Sequence, residues 1–161
     1  MPNSEGYNIQ HDVTPGDMRT EEAKAVCRLM SRWRVDFLLN GHSCEFAPSV
    51  VAPSQVNTKI HIDRLCELVE KANDAIMIAG LRRDKPKIDR DKLSTTLNLT
   101  NVANWCSGAP GLTLECSSSY DNIHNPSVIY SFDQLMEPCF ITLKVIMESG
   151  LESPLAGRPG E

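Results

Sequence analysis

Apolar residues recur every three or four positions in three segments, and this spacing predicts three amphipathic α-helices. The first begins at Thr20, whose hydroxyl can cap the first turn, and it ends near Trp33. The second covers residues 58–79, and the third covers about residues 133–149. Each helix carries one apolar face, so each should pack against another layer of the fold.

Two short apolar runs between these helices predict buried strands. The first, VDFLLNGH, covers residues 35–42 and ends at Gly41–His42, and the second, GLTLE, covers residues 111–115. Residues 43–57 contain two prolines and predict a loop, whereas residues 93–104 alternate leucine and threonine and predict an extended segment. This order of elements predicts an α/β fold with a layered mixed sheet and helices on both faces. Because three strands are few for a free-standing sheet, we expect the chain to be short of strands.

The composition narrows the functional classes. The chain has 161 residues and a formal net charge of −5, so it lacks the basic surface that a nucleic-acid-binding protein needs. No window reaches the roughly 18 consecutive apolar residues of a membrane span, and the polar N-terminal residues do not resemble a signal peptide. We therefore expect a cytoplasmic protein that binds neither nucleic acid nor membrane.

The six cysteines show no Cys-x-x-Cys pair, which argues against a structural zinc ribbon. Cys27, Cys66 and Cys139 lie on the apolar faces of the predicted helices. We expect them to be buried, reduced thiols in a reducing compartment.

The ends of the two predicted strands carry side chains that are capable of chemistry. His42 follows the first strand and Glu115 ends the second, and functional groups in open α/β sheets gather at the carboxyl ends of strands. A neutral imidazole is the commonest metal ligand, and a carboxylate beside a metal-activated water is a suitable general base. A turn histidine and an exposed strand-end acid would look the same, so the residue pattern alone leaves both interpretations open.

Several segments of the chain occur in an order that is typical of one enzyme family. A helix and strand end in a histidine followed by serine, in EEAKAVCRLMSRWRVDFLLNGHS. A strand of the form apolar-Thr-apolar-Glu follows in GAPGLTLECSSS, with Trp105 shortly before the glutamate, and then a long helix in FDQLMEPCFITLKVIMESGL. At the start, GYNIQHD stands where the family has an apolar-Asn-Arg-Asn/Asp motif. In these features, which span about residues 6–150, the chain resembles the zinc carboxypeptidases of the carboxypeptidase A type.

The resemblance implies a zinc-dependent, metallocarboxypeptidase-like hydrolase with a zinc-exopeptidase-like fold, acting on a peptide or a related amide. Residues 1–150 would form a partial catalytic domain, with a sheet that is incomplete at its N-terminal side. From their own composition, we expect residues 151–161 to form a disordered tail. His42 would bind one Zn²⁺ ion, and Glu115 would be the general base that activates the attacking water. The family's other two ligands belong to a His-x-x-Glu motif, which we expect upstream of this chain.

The chain departs from the family pattern in ways that leave alternatives open. Gln10 and His11 stand at the substrate-binding position where the family has Asn-Arg, and a histidine cannot hold a carboxylate with two parallel hydrogen bonds as arginine does. A His-x-x-Glu motif occurs at His42–Glu45, and if this were the first ligand motif, the third histidine would be His61 or His124. We expect His61 to be a partly exposed surface residue and His124 to lie in a turn.

Other functional classes therefore stay open beside the hydrolase. The first alternative is an inactive, truncated or degenerate α/β domain, and the second is a related zinc amidase or deacylase. The third is an α/β interaction domain in which His42 and Glu115 have no catalytic role. The relative position of these two residues distinguishes the possibilities, because side chains on opposite faces of the sheet cannot share a metal ion and its water.

Overall fold

The computed structural model contains four α-helices and three β-strands among the residues that it describes: 6, 12–14, 16–33, 35–44, 47–55, 57, 59–117 and 131–152. The helices are α1 (Glu21–Trp33), α2 (Lys59–Ile78), α3 (Leu99–Ser107) and α4 (Phe132–Glu152), and a short 3₁₀-helix covers Arg90–Lys92. The strands are β1 (Leu38–Cys44), β2 (Ser49–Val50) and β3 (Gly111–Ser117). The fold is therefore of the mixed α/β class, as predicted.

Within the described residues, the strands form one mixed sheet in the order β1-β3-β2. β1 and β3 are parallel, so that Leu38 lies opposite Gly111 and His42 lies opposite Glu115. β2 is antiparallel to β3 and places Ser49 opposite Glu115. β3 is thus the central strand, and β1 lies at one edge.

Apolar clusters lie on both faces of this sheet. On one face, Leu112 and Leu114 of β3 are buried against residues of α2 and α4: Leu65, Leu68, Val69, Ala72, Ile76 and Ile146. On the other face, Leu38 of β1 packs with a second cluster, which consists of Met30 of α1, Val102 and Ala103 of α3, and Val13 and Ala109 from segments outside these helices. Because side chains alternate between the faces of a strand, Thr113 and Glu115 lie on the second face.

The predicted cap of α1 is confirmed and is supported by a second side chain. Thr20 Oγ1 accepts a hydrogen bond from the N–H of Ala23 at 3.2 Å. Asp12 accepts hydrogen bonds from the Thr20 N–H and hydroxyl and from the Arg19 N–H. Burial raises the pKa of Asp12, but these hydrogen bonds outweigh it and hold the pKa below its ordinary value.

The last predicted helix is confirmed, and it is slightly longer than expected. Ser131 Oγ accepts a hydrogen bond from the Gln134 N–H, while the Gln134 side chain accepts one from the Ser131 N–H, which together form a capping box. α4 continues to Glu152, two residues into the predicted tail at 151–161, and residues 153–161 lie outside the described residues. Although α2 and α4 have 20 and 21 residues, no helix in the described ranges is long and apolar enough to cross a membrane.

The prediction of an extended segment at residues 93–104 is wrong, because α3 begins within it. Asn98 and Asn101 form reciprocal hydrogen bonds between side chain and backbone at the N-terminus of this helix. Gly108 follows the last turn with a φ of 74°, a left-handed conformation that favours glycine. These end signals, together with the buried side chains of α3, outweigh the local alternation of leucine and threonine.

The predicted loop at residues 43–57 contains the short strand β2, which a side chain from α2 holds in place. Asn73 Oδ1 accepts a hydrogen bond from the Val50 N–H, and Asn73 Nδ2 donates one to the Val50 carbonyl, both at 2.9 Å. Asn73 is fully buried. The amide of Asn73 thus satisfies backbone groups that a neighbouring strand would otherwise satisfy.

β1 has different ends from those predicted. It begins at Leu38 rather than Val35, and it continues past Gly41 to Cys44. Gly41 does not end the strand because it stays paired with Leu114 of β3. His42 therefore lies within the last part of a paired strand instead of in a turn.

Candidate functional site

His42 and Glu115 lie side by side near the carboxyl ends of two parallel strands. They are opposed residues of the β1–β3 pair, and His42 Nδ1 is 3.8 Å from Glu115 Oε1. This separation is too long for a direct hydrogen bond, but it allows both groups to contact one small ligand. The two side chains are 32% and 27% exposed, so solvent can reach both.

Asn40 contacts the nitrogen of the His42 ring that lies away from Glu115. Its Nδ2 lies 3.2 Å from His42 Nε2. When the amide nitrogen donates, Nε2 accepts, and a neutral ring carries its proton on Nδ1, toward Glu115. When the amide is turned so that its oxygen accepts, Nε2 carries the proton and Nδ1 presents a lone pair.

Two more polar side chains extend the site along and across β3. Thr113 lies opposite Asn40, and among the described residues its buried hydroxyl has no hydrogen-bond partner. Ser49 of β2 lies opposite Glu115. We refer to Asn40, His42, Ser49, Thr113 and Glu115 as the rim cluster. A buried hydroxyl without a partner is costly unless a water or ligand binds it, so Thr113 is a candidate contact for a small molecule.

The rim cluster contains atoms of the kinds that zinc binds, but too few for a complete site. Imidazole nitrogen and carboxylate oxygen are both zinc ligands, and a catalytic zinc ion usually takes three protein ligands. In the part of the chain that the structure describes, no group of three or more His, Cys, Asp or Glu side chains is arranged to hold a metal ion. A zinc ion at His42 would therefore need further ligands from outside the described residues.

Four residues of the sequence predictions lie outside the described residues: Gln10, His11, Glu45 and His124. The substrate-binding role of Gln10 and His11 and the alternative ligand motif at His42–Glu45 thus stay predictions. Trp105 lies on α3, where it is half-buried against the second apolar cluster.

The prediction that His61 is a partly exposed surface residue is wrong. His61 is buried on α2, and its Nδ1 lies 3.4 Å from Asn104 Nδ2 of α3. Burial, together with the positive charge of Arg64, lowers the pKa of His61 below its ordinary value. His61 is therefore a neutral, structural imidazole at neutral pH.

Sequence reasoning missed three members of the rim cluster. Asn40 and Thr113 precede His42 and Glu115 by two positions, and the two-residue period of a strand would have placed each on the same face as its neighbour. Ser49 gave no signal, because the two-residue strand β2 is too short to show a period.

Comparisons with protein-family models, with curated proteins and with solved structures found no match to this chain.

Proposed function

We propose that this chain forms part of a zinc-dependent, metallocarboxypeptidase-like hydrolase that cleaves a peptide or a related amide. The observation that supports this proposal most strongly is the 3.8 Å approach of His42 Nδ1 and Glu115 Oε1 on neighbouring parallel strands. A ligand nitrogen and a general base must lie within reach of the same water molecule, and this pair meets that requirement.

Zinc, when bound, supplies a Lewis acid that lowers the pKa of a water molecule to about 7. In the proposed site, His42 provides one ligand nitrogen, and the other ligands come from outside the described residues. Glu115 accepts a proton from the attacking water and later donates it to the nitrogen of the leaving amine as the C–N bond breaks. The partial exposure of Glu115 leaves this carboxylate accessible to a substrate.

Asn40 has a positioning role in this proposal. Nδ1 is the His42 nitrogen that faces Glu115, so it is the candidate ligand atom. To present a lone pair there, the ring must carry its proton on Nε2 and donate it to the amide oxygen of Asn40. Hydrogen-bond partners of this kind commonly fix the tautomer of a metal-binding histidine, and their removal costs 10- to 100-fold in metal affinity.

The experiment that tests the proposal uses the longest natural protein that contains this sequence, loaded with zinc. Its zinc content and its hydrolysis of an N-blocked dipeptide with a free C-terminal carboxylate are measured together. We expect Glu115→Gln to keep its zinc and to lower kcat by about 100-fold or more. We expect His42→Ala to lose both zinc and activity. Glu67→Gln, the same chemical change on the exposed surface of α2, is the matched control and should match the wild type.

Other results would reject parts of the proposal. A wild-type rate in Glu115→Gln would reject the general base, and unchanged zinc content in His42→Ala would reject the ligand. Hydrolysis only of amides that lack a terminal carboxylate would favour an amidase or deacylase, as Gln10 and His11 in place of Asn-Arg allow. A protein with neither zinc nor hydrolytic activity would be the inactive α/β domain.

A further inference from the structure

We propose that Cys116 and Cys139 form a redox-active dithiol site, which a small disulfide such as glutathione disulfide converts to an intramolecular disulfide between β3 and α4. The two Sγ atoms are 3.3 Å apart, and the thiols are not disulfide-bonded in this structure. This inference is independent of the proposed hydrolase.

The positions of the two thiols favour a bond between them. A disulfide bond is about 2.05 Å long, so the sulfur atoms need to approach by only about 1.2 Å. Cys116 lies near the end of β3 and Cys139 in the second turn of α4, and both are partly exposed, so a small disulfide can reach them. Both side chains pack against the apolar cluster between the sheet and α2 and α4, on the face opposite to Glu115.

The reaction is a two-step thiol–disulfide exchange. One cysteine thiolate attacks glutathione disulfide, which breaks the sulfur–sulfur bond, forms a mixed disulfide and releases one glutathione thiolate. The other cysteine thiolate then attacks the protein sulfur of the mixed disulfide and releases the second glutathione. The two cysteines lose two electrons and two protons, and glutathione disulfide gains them to become two glutathione molecules.

Other cysteines of the same chain provide an internal comparison. Burial raises the pKa of the Cys66 thiol, and burial together with a hydrogen bond that the Cys106 thiol donates to Cys27 raises the pKa of Cys106 to about 11. Exchange requires the thiolate, so these groups should react slowly at neutral pH. Cys66 and Cys106 should therefore compete poorly with the paired Cys116 and Cys139 for the small disulfide.

The test incubates the whole chain in glutathione buffers with increasing proportions of the disulfide form, and then alkylates the remaining thiols. Mass spectrometry of the intact protein and of its peptides counts and locates the protected cysteines. We expect two of the six cysteines to become resistant to alkylation together, with a loss of two hydrogen atoms and a cross-linked peptide that joins Cys116 to Cys139. The selectivity should disappear when the same titration is made in concentrated guanidinium chloride, since the unfolded chain does not hold the thiols together.

Serine variants separate the two steps of the exchange. In Cys139→Ser, Cys116 should accumulate as a mixed disulfide with glutathione, whereas Cys66→Ser should form the disulfide as the wild type does. The proposal is overturned if Cys116 and Cys139 of the native wild-type chain are alkylated, or glutathionylated separately, throughout the titration. A disulfide from Cys44 to either residue would overturn it as well.

Discussion

Replacement of Asn73 by leucine tests how the short strand β2 is held beside the rim cluster. Asn73 makes two hydrogen bonds of 2.9 Å to the backbone of Val50, and its side chain is fully buried. Asn73→Leu leaves one buried N–H and one buried carbonyl without a partner. Each such group costs about 1–3 kcal/mol, and the additional apolar side chain offsets about 1 kcal/mol, so the free energy of unfolding should fall by about 1–5 kcal/mol.

The assay is urea unfolding of the wild type and variants, monitored by far-UV circular dichroism. Midpoints are compared between proteins whose fitted m-values are equal. Asp74→Ala is the matched control, because this neighbouring residue forms a surface ion pair with Lys85, which is worth about 0–1 kcal/mol. Asn73→Asp should also destabilise the protein, since a carboxylate cannot donate to the Val50 carbonyl. If Asn73→Leu has the same urea midpoint as the wild type, the two hydrogen bonds from Asn73 to Val50 do not contribute to the free energy of unfolding.

Three further perturbations test the packing, the caps and the buried histidine. Gly111→Ala places a Cβ about 3.0 Å from two atoms of Thr100 and should destabilise the fold by about 1–3 kcal/mol in urea unfolding, whereas the Cβ of Gly41→Ala meets nothing within 4 Å and should be nearly neutral. Thr20→Ala should cost about 1 kcal/mol in the same assay, and Thr20→Ser should restore most of it. Because the pKa of His61 is lowered from its ordinary value of 6.5, the unfolded state binds more protons below that pH, so stability should decrease as the pH falls through 6.5. His61→Gln should remove this part of the pH dependence in thermal melts, and an unchanged pH profile would contradict the assignment.

The helices α1, α2 and α4 were predictable because their signals are local. Their apolar spacing repeats over several turns, and Thr20 and Ser131 supply caps that can be read from adjacent residues. The α/β class follows from the alternation of such segments with apolar strands. That the fold is specifically zinc-exopeptidase-like stays a prediction.

The elements that sequence reasoning missed depend on contacts between distant parts of the chain. β2 is defined by Asn73, which lies 23 residues from Val50. His61 is buried, and it contacts Asn104 of α3, a helix in a segment that was predicted to be extended. Contacts between distant residues determine whether β2 forms and whether His61 is buried, and the local residue pattern carries no information about such contacts.

In the candidate site, too, some features follow from local residues and others depend on contacts between distant residues. His42 and Glu115 could be selected because they lie at the ends of apolar runs, but their pairing depends on the register of β1 against β3. A shift of one residue would move one of them to the opposite face of the sheet. The contact of Asn40 with the His42 ring and the unpartnered hydroxyl of Thr113 appear only when that register is known.

The most direct test of the central claim is a crystal structure of the longest natural protein that contains this chain, grown with zinc, with anomalous maps at the zinc edge. We predict an ion about 2.1 Å from the nitrogen of His42 that faces Glu115, with the Glu115 carboxylate in hydrogen-bond contact with a water on that ion. An ion bound away from His42, or side chains of His42 and Glu115 on opposite faces of the sheet, would contradict the account.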